Sequence, residues 1–375
     1  LETAGGNKFS IRELSGSMGD FGTLIPLAAG YIVVCGLDPA ALLITVGIIS
    51  ILTGIVFKLP VPIEPMKVLA AVAIAQAWSP SMIYASAFAM GITWVLFSIT
   101  GIIEVIARYT PHPVIRGIQV ALGISLAMQA FNLILSWWII GIIALVLALL
   151  LRNNRYVPSM LIIMVIGIAI SLYRGTPSDE ALFGFSLPAI TTFDFGDLWP
   201  AMLLGGFAQI PLTATNAVLS TSSLMKTYWP GREIKPKTLS LSIGLFNLGL
   251  PLLGGMPICH GAGGLAAKHY FGARTGGANI SIGIIEVIAG LFMAGLAALV
   301  FAEFPEAVIG AMMLLIGIEL IKFVQTVSWG WEFFPLTVTV ILSVFFNMAY
   351  GFLAGLAVFY LIRYFYRPQT HENEK

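Results

Sequence analysis

Long apolar runs, separated by short polar or Gly/Pro breaks, make up nearly the whole chain, and this pattern predicts helices. The first series covers 18–36, 39–57, a short 65–77, 81–107, 113–133, 136–151 and 157–173. A second series follows at 198–222, 238–254, a short 260–272, 277–302, 305–323, 334–347 and 349–365. A spanning helix takes roughly 20 apolar residues, so the chain has room for about 14 crossings and for loops, but not for an ordinary soluble domain.

Charge tests that count, because short cytoplasmic loops collect Lys and Arg. Threaded from a cytoplasmic N-terminus, all of the 19 basic residues except Arg174 and Lys67 fall on the inner side, Lys268, Arg274, Arg152, Arg155, Arg367 and Lys375 among them. Acidic Asp38, Asp179, Glu180, Asp194, Asp197, Glu303 and Glu306 fall outside. A miscounted span would invert every later loop, so the pattern predicts fourteen segments in a multi-pass cell-membrane protein with both termini cytoplasmic. Leu1–Arg12 lacks the basic and then apolar pattern of a cleavable leader, and none is expected.

The break between the series, Arg174 to Asp197, is the longest external connection. On either side of it the motifs recur: Gly19-Asp20-Phe21-Gly22-Thr23 with Ile25-Pro26-Leu27, and Gly205-Gly206-Phe207-Ala208-Gln209-Ile210-Pro211-Leu212. The two short segments, third and tenth, both open on Pro-rich stretches, Pro60 to Pro65 and Gly254 to Cys259. Seven is odd, so two repeats of seven must enter the membrane from opposite sides, as an inverted repeat. The identical GIIEVIA stretches at 101–107 and 283–289 occupy non-equivalent places in their segments and are read as chance.

Only 10% of residues are charged against 58% apolar, whereas soluble chains carry about 25% charged residues, which excludes a soluble enzyme. The net charge of +1 gives no basic field for nucleic acid. Cys35 and Cys259 lie far apart in apolar context, which suits neither a disulfide framework nor a zinc site. No paired-His motif, nucleophile with a base, or phosphate loop appears, so neither enzyme activity nor a cofactor or metal is expected.

Non-helical backbone is tolerated at membrane depth only where protein buries it or where it lines a cavity. The two Pro-rich breaks therefore predict a cavity at which two half-helix N-termini converge, with free N–H groups and a partial positive charge suited to an anion. The glycines of His260-Gly261-Ala262-Gly263-Gly264 let an anion approach those amides, or else serve close helix packing. Asp20, Glu64, Lys67 and Glu286 are ionisable groups inside spans, functional by default. Lys67 either meets an anion or neutralises Glu64 or Asp20. Glu64 either couples protons, being protonated when substrate is bound, or forms a permanent pair with Lys67. Gln209 and Thr213, four apart on one helical face, offer neutral hydrogen bonds to a ligand or to neighbouring helices. His260 fits anion capture, while His269 and Arg274 fit the headgroup region or an inner gate.

These residues resemble a known family. Gly19-Asp20-x-Gly22-Thr23 with Pro26, Pro62-x-x-Pro65-Met66-Lys67-x-x-Ala70-Ala71, Met256-Pro257-x-Cys259-His260-Gly261-Ala262-Gly263-Gly264-Leu265-Ala266 and Phe271-Gly272-Ala273-Arg274-x-Gly276 are similar to the signatures of the molybdate transporter family, a branch related to the sulfate permeases (SulP). The resemblance implies an all-α polytopic fold of 14 transmembrane segments, a 7+7 inverted repeat with segments 3 and 10 broken, as in sulfate and uracil permeases. It implies a core domain (residues 1–110 and 196–303) that carries substrate against a gate domain (111–195 and 304–375). Plant-like members have Gln where this chain has Glu64, which bears on coupling or selectivity. The expected function is secondary active import of a tetrahedral oxyanion, molybdate first, by proton symport; the alternatives are a sulfate transporter of the same fold or an anion channel. Expected substrate contacts are Thr23, Met66, Lys67, Gln209, Thr213, Cys259, His260, Gly261, Ala262 and Gly263, with Asp20, Glu64 and Glu286 as proton-coupling candidates. Expected partners are the oxyanion, protons and the bilayer, with a homodimer left open.

Overall fold

The structure, a computed structural model, describes residues 6–150, 159–174, 184–293, 295–296, 300, 303–346 and 348–366. The predicted loop charges Arg152, Arg155, Asp179, Glu180, Arg367 and Lys375 lie outside the described residues. The helices are α1 (Ile11–Ser17), α2 (Phe21–Val33), α3 (Pro39–Phe57), α4 (Lys67–Ala75), α5 (Pro80–Thr100), α6 (Ile102–Tyr109), α7 (His112–Ser136), α8 (Trp138–Leu150) and α9 (Ser159–Arg174). In the second half come α10 (Phe195–Tyr228), α11 (Pro236–Gly249), α12 (Ala262–Phe271), α13 (Gly277–Phe292), α14 (Glu306–Ile321), α15 (Phe333–Phe345) and α16 (Met348–Tyr366). Two short strands, β1 (Glu64–Pro65) and β2 (Ile258–Cys259), precede α4 and α12. By length and apolar composition alone, α3, α5, α7 and α10 suffice to cross a membrane.

Local chemistry explains the clean starts. Asp38 accepts a hydrogen bond from the Ala40 amide at 3.0 Å and Pro39 occupies the first helical position of α3; Ser79 and Pro80 do the same for α5.

Three boundaries differ from those expected. The interval 81–107 is two helices, because Gly101 adopts a left-handed conformation (φ 72°) that ends α5 before α6 begins. Within the interval 277–302, α13 ends at Phe292, where the 289 carbonyl takes the amide of Met293 and residues 184–186 pair alongside; the described residues 295, 296 and 300 beyond it are helical again. The first segment starts earlier, as α1, and turns through a 3-10 stretch at Met18–Asp20 before α2.

Close helix crossings depend on small residues in pairs. A side chain on Gly47 of α3 would press on the Gly283 carbonyl of α13 at 2.7 Å, and one on Gly283 would press on Gly47. Gly91 of α5 and Gly244 of α11 make the corresponding crossing, as do Gly123 of α7 and Gly317 of α14. Under exchange of the two halves the pair α3–α13 maps onto α11–α5, and α7–α14 maps onto itself. The same exchange relates the first helices of the halves. Gly19 lies against the backbone of α12 at Ala267 and Lys268, and Gly205 of α10 lies against Leu69 of α4.

Gly123→Ala places a methyl 2.5 Å from the Gly317 carbonyl, a backbone atom that cannot rotate away. Overpacking of this kind costs about 1–3 kcal/mol. The expected result is a lower melting temperature for the detergent-solubilised protein, whereas Gly249→Ala, with open space at its Cβ, leaves it unchanged.

Candidate functional site

The site grows from two breaks in helical backbone. Lys58 turns left-handed after α3, and Pro60, Pro62 and Pro65 then hold the chain extended; in the second half Gly254 (φ 77°) makes the corresponding turn. The two extended pieces pair antiparallel, Glu64 opposite Cys259 and Pro65 opposite Ile258, and the Met66 amide donates to the Pro257 carbonyl at 3.0 Å. A helix follows each strand within three residues. Because the strands run in opposite directions, α4 and α12 leave the ribbon in opposite directions with their N-termini toward it.

Side chains satisfy the backbone that the ladder leaves over. Asn247 of α11 pairs with Ile258 as a further strand would, accepting from its amide at 2.9 Å and donating to its carbonyl at 2.8 Å. His260 Nδ1 donates to the Pro62 carbonyl at 2.9 Å, and its Nε2 lies 2.8 Å from the Ser242 hydroxyl. Both ring nitrogens are thus engaged by protein. The Thr221 hydroxyl donates to the His260 carbonyl, and the Asp20 carboxylate accepts from the Ile63 amide.

The two half-helix starts are filled differently. Gln209 of α10 accepts from the Val68 amide at 2.8 Å and donates to Thr213 at 2.7 Å, so a neutral side chain caps α4. Gln209 lies on the α-helical turn Phe207–Leu212, between π-helical stretches at Met202–Gly206 and Thr213–Ser220, where the widened helix accommodates Pro211. At α12 the amides of Ala262, Gly263 and Gly264 meet no hydrogen-bond acceptor among the described residues. Here the Glu64 carboxylate packs directly on Gly261 and Gly264, so close that a Cβ on either would collide with it. Lys67 Nζ binds the same carboxylate at 2.7 Å. Gly263 faces open space.

Glu64, Met66, Lys67, Gln209, Thr213, Cys259, Gly261 and Gly264 are therefore contiguous, with Ala262 and Gly263 on the same turn. Cys259 is buried in the ladder, its Sγ 3.9 Å from the Pro65 carbonyl. Thr23 is half-buried on α2, which packs on β1 and α4, and makes no hydrogen bond among the described residues. Asp20 belongs to a different cluster. Its partner is Lys268 at 3.0 Å, which corrects the placement of Lys268 among the loop charges: it is 1% exposed, near the end of α12. Lys268 also donates to Asn279 at 3.0 Å, and Asn279 in turn bonds Thr53 and the Val61 carbonyl, tying α12, α13, α3 and the first break together. Glu286 on α13 has Ser50, at 3.5 Å, as its hydrogen-bond partner among the described residues. His269 stacks on Tyr228 and Arg274 bonds nearby carbonyls. Buried Glu13, unmarked in the sequence, accepts from the amides of Arg274 and Thr275.

A cavity of about 270 Å³ opens at the far end of α4. Gln76 lines it together with Ser125, Gln129 and Asn132, which fall on one face of α7, and Ser343 of α15. The Trp78 indole donates to the Gln76 carbonyl oxygen at 2.9 Å, which leaves the Gln76 amino group for the cavity.

Comparison with known proteins bears on fold and family. The chain is similar in structure to the transmembrane domain of a cyanobacterial bicarbonate transporter, BicA (TM-score 0.66, 16% identity, covering 94% of this chain and 98% of that one). It is similar also to a murine SLC26A9 anion transporter in the inward-facing state (TM-score 0.70, 14% identity, covering 97% and 70%). The fold is therefore that of the SulP/SLC26 proteins, and the chain is a multi-pass membrane protein. In sequence it is 30% identical over 398 aligned residues to Molybdate transporter 1 of Arabidopsis thaliana, covering 92% of this chain and 86% of that protein. Molybdate transporter 1 of Chlamydomonas reinhardtii is 28% identical, covering 92% and 90%. The family described as "Molybdate transporter of MFS superfamily" matches residues 12–126 and 201–320, the two stretches that carry both breaks and both half-helices, and the chain belongs to this molybdate transporter family.

Proposed function

We propose that the protein is a secondary active transporter that imports a tetrahedral oxyanion, molybdate first, by proton symport. The observation that carries this reading is the uncapped start of α12, where free amides, open space at Gly263 and the Lys67 ammonium meet at one point. Lys67 is the least buried of the paired interior charges, its side chain 19% exposed against 2% for Lys268. The names of the plant and algal relatives support molybdate as the substrate.

The exchange of α3–α13 with α11–α5 supports fourteen segments in a 7+7 inverted repeat, with cytoplasmic termini set by the basic loops. In that arrangement residues 1–110 and 196–303 form the core that carries substrate, and 111–195 and 304–375 form the gate. The polar cavity between α4, α7 and α15 then lies on the outer side of the core–gate boundary, as the access route of an alternating-access cycle.

Energetics favour coupling. Moving a dianion inward against ~100 mV of opposing potential costs about 4.6 kcal/mol, so accumulation from trace concentrations needs co-transported cations. Glu64 touches both Lys67 and the α12 start and is the first candidate to carry the proton. Asp20, occupied by Lys268, and Glu286, far from the ribbon in its contacts, are the others.

Uptake of labelled molybdate into proteoliposomes is the primary test; a tight saturable uptake driven by an inward proton gradient is expected. Sulfate that abolishes it at equal concentration would move the assignment to a sulfate transporter. Glu64→Gln should keep oxyanion binding and lose the acceleration by external acid, and an unchanged pH profile would remove Glu64 from coupling. Gly263→Val has room to fold but fills the site. Its uptake should fall roughly tenfold or more with the melting temperature unchanged, a loss of about 1.4 kcal/mol of binding or more.

A further inference from the structure

We infer that the Glu64 carboxylate is a resident anion: it occupies the place of the transported oxyanion at the start of α12 and has to leave when the oxyanion binds. This inference rests on the oxyanion-site reading above. The oxygens of the carboxylate lie against Gly261 and Gly264, the N-cap and third residue of α12, with the Lys67 ammonium beside them at Gly261. The negative group within reach thus lies against the glycines of the turn that carries the free amides, bonded to the ammonium.

A second anion cannot share that position. Glu64 and the oxyanion would bring like charges to one helix terminus and one ammonium, inside protein that screens them weakly. The other charges near Glu64 do not relieve this, since Asp20 is itself negative and Lys268 is committed to it at 3.0 Å. Glu64 sits three residues before Lys67, on the strand side of the break, so its side chain can swing away while the ladder stays paired. The opposite half-helix has no such occupant, because neutral Gln209 caps it. The oxyanion is therefore assigned to the α12 side of the ribbon, with Lys67 changing partner from Glu64 to substrate.

Exclusion makes a prediction opposite in sign to a supporting role. If the wild-type site is free of Glu64 for a tenth of the time or less, emptying it should tighten binding roughly tenfold or more. Calorimetric titration of the purified full-length protein with molybdate at one fixed pH should show that gain for Glu64→Ala. Glu64→Gln, which keeps the size and guards against misfolding, should show a smaller gain. In the wild type, molybdate should perturb a carboxylate band in the infrared difference spectrum that Glu64→Gln lacks. Unchanged or weaker binding in both variants, or no carboxylate change, overturns the inference and leaves the oxyanion site standing. Failure of wild type and both variants to bind molybdate or sulfate overturns the site and the inference together.

Discussion

Two residue pairs, Glu64–Cys259 and Pro65–Ile258, hold the centre of the molecule. Backbone that leaves the helix inside a membrane protein must find every hydrogen bond in the protein, since hydrocarbon supplies none. A two-residue ladder satisfies little of that demand by itself. The remainder falls to Asn247, His260, Asp20 and Asn279, and this explains why so apolar a chain keeps these polar side chains buried. Proline reduces the demand as well, because Pro60, Pro62 and Pro65 have no amide hydrogen to satisfy. The ribbon in turn fixes where α4 and α12 begin and which way they point, and so fixes the site.

The buried ion pairs divide by exposure. Asp20–Lys268 is closed on all sides and bonded onward to Asn279, which suits a brace between α12, α13 and the first break. Burying such a pair gains little stability over apolar packing, but removing one partner leaves an uncompensated charge. Glu64–Lys67 has the same chemistry in a different setting. Its lysine side chain is partly exposed and its carboxylate lies on glycines without side chains. The difference between a brace and a working pair is whether a competing ligand can reach it.

Some of this was legible in the residues and some was not. Apolar runs located the helix-bearing intervals of the described residues except α1, because length and hydropathy are local properties, and prolines located both breaks for the same reason. Gly101 was harder, since a glycine inside an apolar run reads equally as helix interior or helix end, and only its left-handed backbone decides. Lys268 counted as a loop charge by position along the chain. Its burial depends on Asp20 at the far end of the sequence, and the one signal was that Lys67 alone could not neutralise both Glu64 and Asp20. Gln209 was marked as a neutral donor on the correct face, but its role as the cap of α4 needs the fold to bring residue 209 to residue 68. His260 shows the limit of position as evidence: it stands at the start of a half-helix, as an anion-binding histidine would, yet its ring is held by Pro62 and Ser242.

The glycine crossings of the two halves correspond, α3–α13 with α11–α5 and the Gly19 contact with the Gly205 contact, but the two half-helix starts do not. Two equal anion sites facing each other would compete for one ligand or bind two. The chain breaks the tie with side chains. Gln209 closes one start with a neutral cap, and three glycines within residues 261–264 leave the other bare. Lys67, from the capped half-helix, then reaches across to the bare one, so the two repeats jointly hold a single charge. Both half-helices belong to the proposed core, so a motion of that core against the proposed gate would carry this single charge as a unit while changing what can reach it.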